Sequence, residues 1–230
     1  MRTNLESVER VAKRLGALRE EVVFLGGAVT ELLVTDLGAP EPRVTVDVDA
    51  IVEVANRGEY NHFTSRLRSA GFFEDSRDGA PICRWIVDGY PVDLMPTDEK
   101  ILGFSNCWYG DTIRHAEWRA LPGGTAVRVT TAPYFLATKL EAFKGRGAGD
   151  FSASHDIEDV ISVVDGRPEL VGEVWLAGGG VQAYLAQEFE ALLTQERFRD
   201  ALPGHLPSDL ASQARLPIVV ERLVALTRRG

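Results

Sequence analysis

The residues best suited to chemistry lie in Arg43-Val44-Thr45-Val46-Asp47-Val48-Asp49. Val44, Val46 and Val48 alternate with Arg43, Thr45, Asp47 and Asp49, the two-residue period of a strand with one buried face. On such a strand Asp47 and Asp49 leave the same face about 7 Å apart. Carboxylates that close repel by roughly 3 kcal/mol at an effective dielectric of about 20. They can face water, share a proton or hold a cation. The cation reading connects them to the rest of the chain, and Arg43 and Thr45 then suit orienting the carboxylates or a phosphate.

Upstream, Val22–Leu25 is an apolar run, followed by Gly26-Gly27 and a helical pattern over 28–34. Two glycines entering a helix let a phosphate approach backbone N–H groups at the positive end of the helix dipole. Downstream, Asp88-Gly89 separates two β-prone runs, a hairpin signal that puts Asp93 on a strand between Val92 and Leu94. If the strands are neighbours, Asp93 becomes a third carboxylate beside Asp47 and Asp49. Such oxygens are what two Mg²⁺ ions about 4 Å apart require when a nucleophile attacks the α-phosphorus of a nucleoside triphosphate. The glycine turn would hold the phosphates, and a lysine or arginine would balance charge on the leaving pyrophosphate.

The elements that must position these groups follow from periodicity. Leu5, Val8, Val11, Ala12 and Leu15 recur at helical spacing and mark residues 4–21 as a short amphipathic helix. Residues 35–42 form a Gly/Pro loop, and residues 59–70 a helix ending at Gly71. The stretch 96–121 is aromatic and irregular, and Trp85, Trp108 and Trp118 read as core or cleft walls. Residues 125–130 predict a strand. Pro133 opens a helix running to Lys144, stopped by Gly145 and Gly147, with Leu136, Leu140 and Phe143 as its stripe and Lys139 and Arg146 on an adjacent face. Ser152 or Ser154 caps the next helix, whose Asp156, Glu158 and Asp159 suit the dipole. Its buried face is Ile157, Val160, Ile161 and Val164. The remainder is helical, broken at 178–180 and 203–207, and closes with a helix through Ile218, Leu223 and Leu226.

Diglycine turn, helix, Asp-x-Asp strand and a later single Asp resemble the DNA polymerase β-like nucleotidyltransferase superfamily. Pro133–Phe143, with Lys139, and His155-Asp156-Ile157-Glu158-Asp159-Val160 narrow the likeness to the AbiEii/AbiGii-type (MenT-like) nucleotidyltransferase toxins. The resemblance spans about residues 22–165. It implies that Gly26, Gly27, Asp47 and Asp49 bind triphosphate and Mg²⁺, that Lys139 contacts phosphate, and that Asp156 sits at the active site with Asp159 in support. It also implies tRNA as a leading acceptor and a cognate antitoxin protein as a partner. Gly27 stands where many members carry serine, and nineteen residues separate Gly27 from Asp47, more than is usual there. The excess falls in the 35–42 loop, where insertion costs little.

The expected fold is therefore α/β (α+β): a polymerase β-like mixed sheet with flanking helices over 1–130, then a helical region over 131–230. A net charge of −9 and a pI near 5.0 argue against a protein that coats nucleic acid. The two cysteines, Cys83 and Cys107, lack metal or disulfide spacing, which points to a reducing, cytoplasmic setting. No apolar run reaches the ~18 residues of a membrane span. A small-molecule nucleotidyltransferase of the aminoglycoside-modifying kind and a catalytically idle nucleotide-binding module remain as alternatives.

Overall fold

A computed structural model describes residues 3–146 and 149–228; Gly147 and the side chain of Arg146 lie outside the described residues. The strands are β1 (Val22–Leu25), β2 (Val48–Val52), β3 (Phe73–Glu74), β4 (Arg84–Val87), β5 (Tyr90–Pro96), β6 (Glu117–Ala120) and β7 (Ala126–Val129). The helices are α1 (Asn4–Leu15), α2 (Thr30–Leu33), α3 (Arg57–Ser69), α4 (Glu99–Leu102), α5 (Tyr109–Arg114), α6 (Ala132–Arg146), α7 (His155–Gly166), α8 (Leu170–Ala177), α9 (Gly179–Thr194), α10 (Glu196–Ala201), α11 (Leu210–Gln213) and α12 (Leu216–Leu226). The chain divides into two units. One takes residues up to Glu31 together with Arg43–Thr131; the other takes Leu32–Pro42 together with the residues from Ala132 onward.

The first unit is built on a seven-stranded mixed sheet in the order β3-β4-β5-β2-β1-β7-β6. Its central strand is β2, antiparallel to β1 and parallel to β5, while β1 runs parallel to β7 on its other side. The chain reverses between β4 and β5 at Asp88 (φ 49°) and Gly89 (φ 80°), the two positive φ values that a two-residue hairpin needs. All four residues of β1 are buried, as its unbroken apolar run predicts for a strand covered on both faces. Val23, Leu25 and Ile51 share one sheet face with Met95 and are covered by Tyr109 and Ile113 of α5. The helix α1 packs against β2 and β5. Its buried Leu5, Val8, Val11, Ala12 and Leu15 recur at helical spacing, and Thr3 and Glu6 close a capping box at its start.

Three expectations change. The strand at residues 43–52 begins only at Val48; Val44 and Val46 are 65% and 85% exposed, so they do not share Val48's buried face. Instead of a strand ladder, the side chain of Asn4 holds this segment: its Nδ2 donates to Arg43 O (2.8 Å) and its Oδ1 accepts from Thr45 N (2.9 Å). The helix after the diglycine is a 3-10 turn, Gly27–Val29, and the four residues of α2. Few peptide dipoles align over so short a run, so the field expected at its start is weak. Finally, the irregular aromatic stretch hides β6, whose residues are mostly exposed and so carry no alternation. Trp118 on it is 54% exposed and walls no core, whereas Trp85 is buried.

In the second unit, α6 packs on α7, α8 and α9, and α12 on α7, α8 and α9. Every residue of α6 from Ala132 to Leu140 is buried, so this helix has no single apolar stripe. Ser154 caps α7, accepting from Ile157 N, and Ile157, Val160, Ile161 and Val164 are buried as expected. On α12 the buried residues are Val219, Leu223 and Leu226, while Ile218 is 37% exposed. Phe151 meets Phe143 in a tilted contact and Phe198 edge-on, at 5.3 and 5.5 Å between ring centres.

The segment 32–42 is fixed into this helical unit by polar contacts. Thr35 N and Asp36 N both donate to Gly166 O (2.8 and 2.9 Å), and Thr35 Oγ1 donates to Glu169. Arg167 Nη1 donates to Leu33 O, and Arg215 bridges Asp36 (2.6 Å) and the buried Asp165 (2.8 Å). Gly166 has to be a glycine here, because a Cβ would fall 2.7 Å from Val34 Cγ1.

Candidate functional site

Sheet register assembles the acidic cluster in the first unit. Leu25 pairs with Asp49, Asp49 with Asp93, and Asp93 with Arg84, so four neighbouring strands place these side chains in one row. Side chains paired in register share a face, and adjacent strands lie about 4.8 Å apart. Asp49 and Asp93 are therefore immediate neighbours, as the sequence predicts for adjoining strands.

The diglycine turn meets this row directly. Gly26 follows Leu25 with φ 75°, a backbone conformation that L side chains rarely adopt. A Cβ placed on it would fall 2.0 Å from Asp49 Oδ2 and 2.7 Å from Asp49 Cγ. The Asp49 carboxylate thus packs on the bare Cα of Gly26. Both features of that glycine are needed, the unusual φ and the missing side chain. Gly27 is buried and begins the following turn.

Asp47 lies one residue before β2, in a bend, yet joins the cluster through hydrogen bonds. Thr45 Oγ1 donates to Asp47 Oδ1 (2.9 Å), the orienting role expected of that threonine. Arg43 contributes its backbone carbonyl, which holds Asn4 as described above.

Arg84 is the residue sequence reasoning missed. Its Nε donates to Asp93 Oδ1 (2.7 Å) and its Nη2 to Asp93 Oδ2 (2.8 Å) and Asp47 Oδ2 (2.7 Å). This is a two-point fork on Asp93 with a third contact to Asp47, the geometry in which arginine outperforms lysine. The bond to Asp93 raises the guanidinium's already high pKa further, so its charge is permanent. One signal was available: Arg84 interrupts the otherwise apolar run 82–87, five residues before the hairpin glycine. Burial, together with the Asp93 and Asp49 charges, pushes the Cys83 thiol from 9.0 up to about 12.

The expected divalent-ion pair can be tested on these contacts. Carboxylate oxygens are the right donors for a hard cation. Asp49 at the glycine turn and Asp47 beside it are the donors one such ion would use, and Thr45 and Arg84 already engage both oxygens of Asp47. Asp93 was expected as a third metal ligand; both its oxygens likewise accept from Arg84. Among the described residues no group of three His, Cys, Asp or Glu side chains is arranged to hold a metal ion.

Lys139, Asp156 and Asp159 form a separate cluster inside the helical unit. Lys139 Nζ lies 2.6 Å from Asp159 Oδ2 and 3.2 Å from Asp156 Oδ1, and all three residues are buried. The i, i+3 spacing of the two aspartates puts both on the α7 face that meets α6, which explains the shared partner. Lys139 was expected to face a phosphate; the structure engages it with these two carboxylates. No family model matches this chain, and no curated protein matches it.

Proposed function

We propose that this protein is a Mg²⁺-dependent nucleotidyltransferase that moves a nucleoside monophosphate from an NTP to an acceptor, with tRNA as leading acceptor and a toxin–antitoxin setting. The observation that carries the reading is the contact between Gly26 and the Asp49 carboxylate, beside Asp47 and Asp93. A side-chain-free turn against paired carboxylates suits a triphosphate whose charge is shared with a hard cation. Asp49 and Asp47 would hold that ion, which supplies Lewis-acid stabilisation of the reacting phosphate. The turn at Gly26-Gly27 admits phosphate oxygens close to backbone, and Thr45 and Arg84 keep Asp47 from rotating.

The test is incubation of the purified protein with each of four α-labelled NTPs and Mg²⁺, against total RNA, aminoglycosides and the protein alone. Label in the tRNA band, lost in Asp49→Asn, is the expected result. Label in the antibiotic pool redirects the acceptor to a small molecule. A second reading is favoured by one observation: Arg84 already neutralises part of the cluster, as an idle nucleotide-binding module would allow. Incorporation absent from every pool, with NTP binding retained, decides for that reading.

A further inference from the structure

The sheet of the first unit ends in an open edge. β6 is its last strand, and Glu117, Trp118 and Ala120 on it are exposed. Leu121 N donates to Thr125 O, so in the antiparallel ladder the odd-numbered residues turn their backbone groups towards β7. Trp118 and Ala120 turn theirs outward, and among the described residues nothing receives them. Natural sheets guard such an edge with lysine, proline or a bulge; this one presents a tryptophan that is 54% exposed. We propose that a second copy of this chain pairs with β6, antiparallel across a two-fold axis at Trp118, to form a homodimer with one continuous sheet.

Charge selects both the occupant and the register. With the axis at Trp118, Glu117 of each copy lies opposite the partner's Arg119, so unlike charges meet twice. Moving the axis by one residue sets Glu117 against the partner's Glu117, or Arg119 against the partner's Arg119, and like charges directly opposite are destabilising. A strand reading Glu-Trp-Arg is thus its own complement in one register. Glu117 and Arg119 already pair within the chain at 2.6 Å on the exposed surface, so four alternating charges line the seam. On the other face each Trp118 meets the partner's Trp118, a cross-strand aromatic pair, while their free N–H and C=O groups exchange hydrogen bonds. Association through this edge goes beyond the transferase reading and does not depend on it.

Sedimentation velocity on the full chain, diluted from about 100 µM to about 1 µM, tests this. The expected result for the natural chain is a monomer–dimer equilibrium. Arg119→Glu and Glu117→Arg each replace two unlike pairs by two like ones, which should weaken the dimer by about tenfold or more. Mixed in equal amounts, these two variants should form a heterodimer as tight as the natural dimer, although neither retains the ion pair within its own chain. Both substitutions lie on exposed side chains, and circular dichroism checks that each variant keeps its fold. A natural chain that stays monomeric at about 100 µM overturns the inference. So does a dimer that Arg119→Glu leaves intact, and so does a mixture that associates no better than its parts.

Discussion

At the scale of single residues, Gly26 and Cys83 each have an environment that dictates an outcome. Gly26→Ala forces a Cβ into the Asp49 carboxylate at a φ of 75°. The backbone cost is about 1–3 kcal/mol, and Asp49 must rotate away. The expected result is a folded protein with a lower unfolding midpoint and at least a tenfold loss of Mg²⁺-dependent NTP binding, read by denaturant melts and calorimetry. Gly27→Ala tests the neighbouring position separately. For the cysteines, burial decides. Cys107 is exposed and Cys83 buried, so a thiol reagent at neutral pH should modify one cysteine in the folded protein and both after denaturation. The Cys83 shift has a sign: below the ordinary thiol value of 9.0 both folded and unfolded chains keep the proton. Between 9.0 and about 12 only the unfolded chain loses it, so stability falls as pH rises through that window. Tyr60, raised by burial from 10.0 to about 12, acts in the same direction. Urea melts from neutral to alkaline pH check this, with Cys83→Ala flattening the slope.

At the scale of elements, the contrast between β1 and the 43–47 segment shows what sequence can reveal. A continuous apolar run followed by two glycines gives β1 its bounds, because hydrophobicity and turn chemistry agree there. In Val44-Thr45-Val46 the alternation is equally regular, yet the valines are exposed. The buried amide of Asn4, thirty-nine residues from Arg43, decides that conformation, and no local pattern announces it. The hairpin and both α6 and α7 were legible for the same reason as β1. Arg84 was not, since its role exists only through cross-strand register. Lys139 was located correctly on its helix, but its partners come from the next helix. Those partners set a prediction: Lys139→Met leaves Asp156 and Asp159 buried together without their shared cation, which costs about 3–5 kcal/mol. Adding Asp156→Asn and Asp159→Asn should recover much of that loss, because the remaining polar groups are neutral. Chemical denaturation of the natural chain, the single variant and the triple variant measures it.

At the scale of the whole molecule, the chain visits the helical unit twice. Leu32–Pro42 leaves the sheet unit, is bound by Gly166, Arg167, Glu169 and Arg215, and returns at Arg43. A protein expressed as two pieces, 1–131 and 132–230, should therefore co-purify. Arg215→Met, which removes the bridge between Asp36 and Asp165, should weaken the association several-fold in a pull-down. Acidification should loosen the same attachment. Arg215 holds the Asp36 carboxyl below its usual range, so that contribution is present above the ordinary carboxylate pKa and is lost as pH falls.

The excursion also bears on heredity. A gene segment encoding only the last hundred or so residues would carry an empty socket, and one encoding only the sheet would carry a loose plug. Shuffling either half onto a foreign scaffold would thus break a lock whose key sits on the other side of the cut, so the two parts are bound to diverge as a pair.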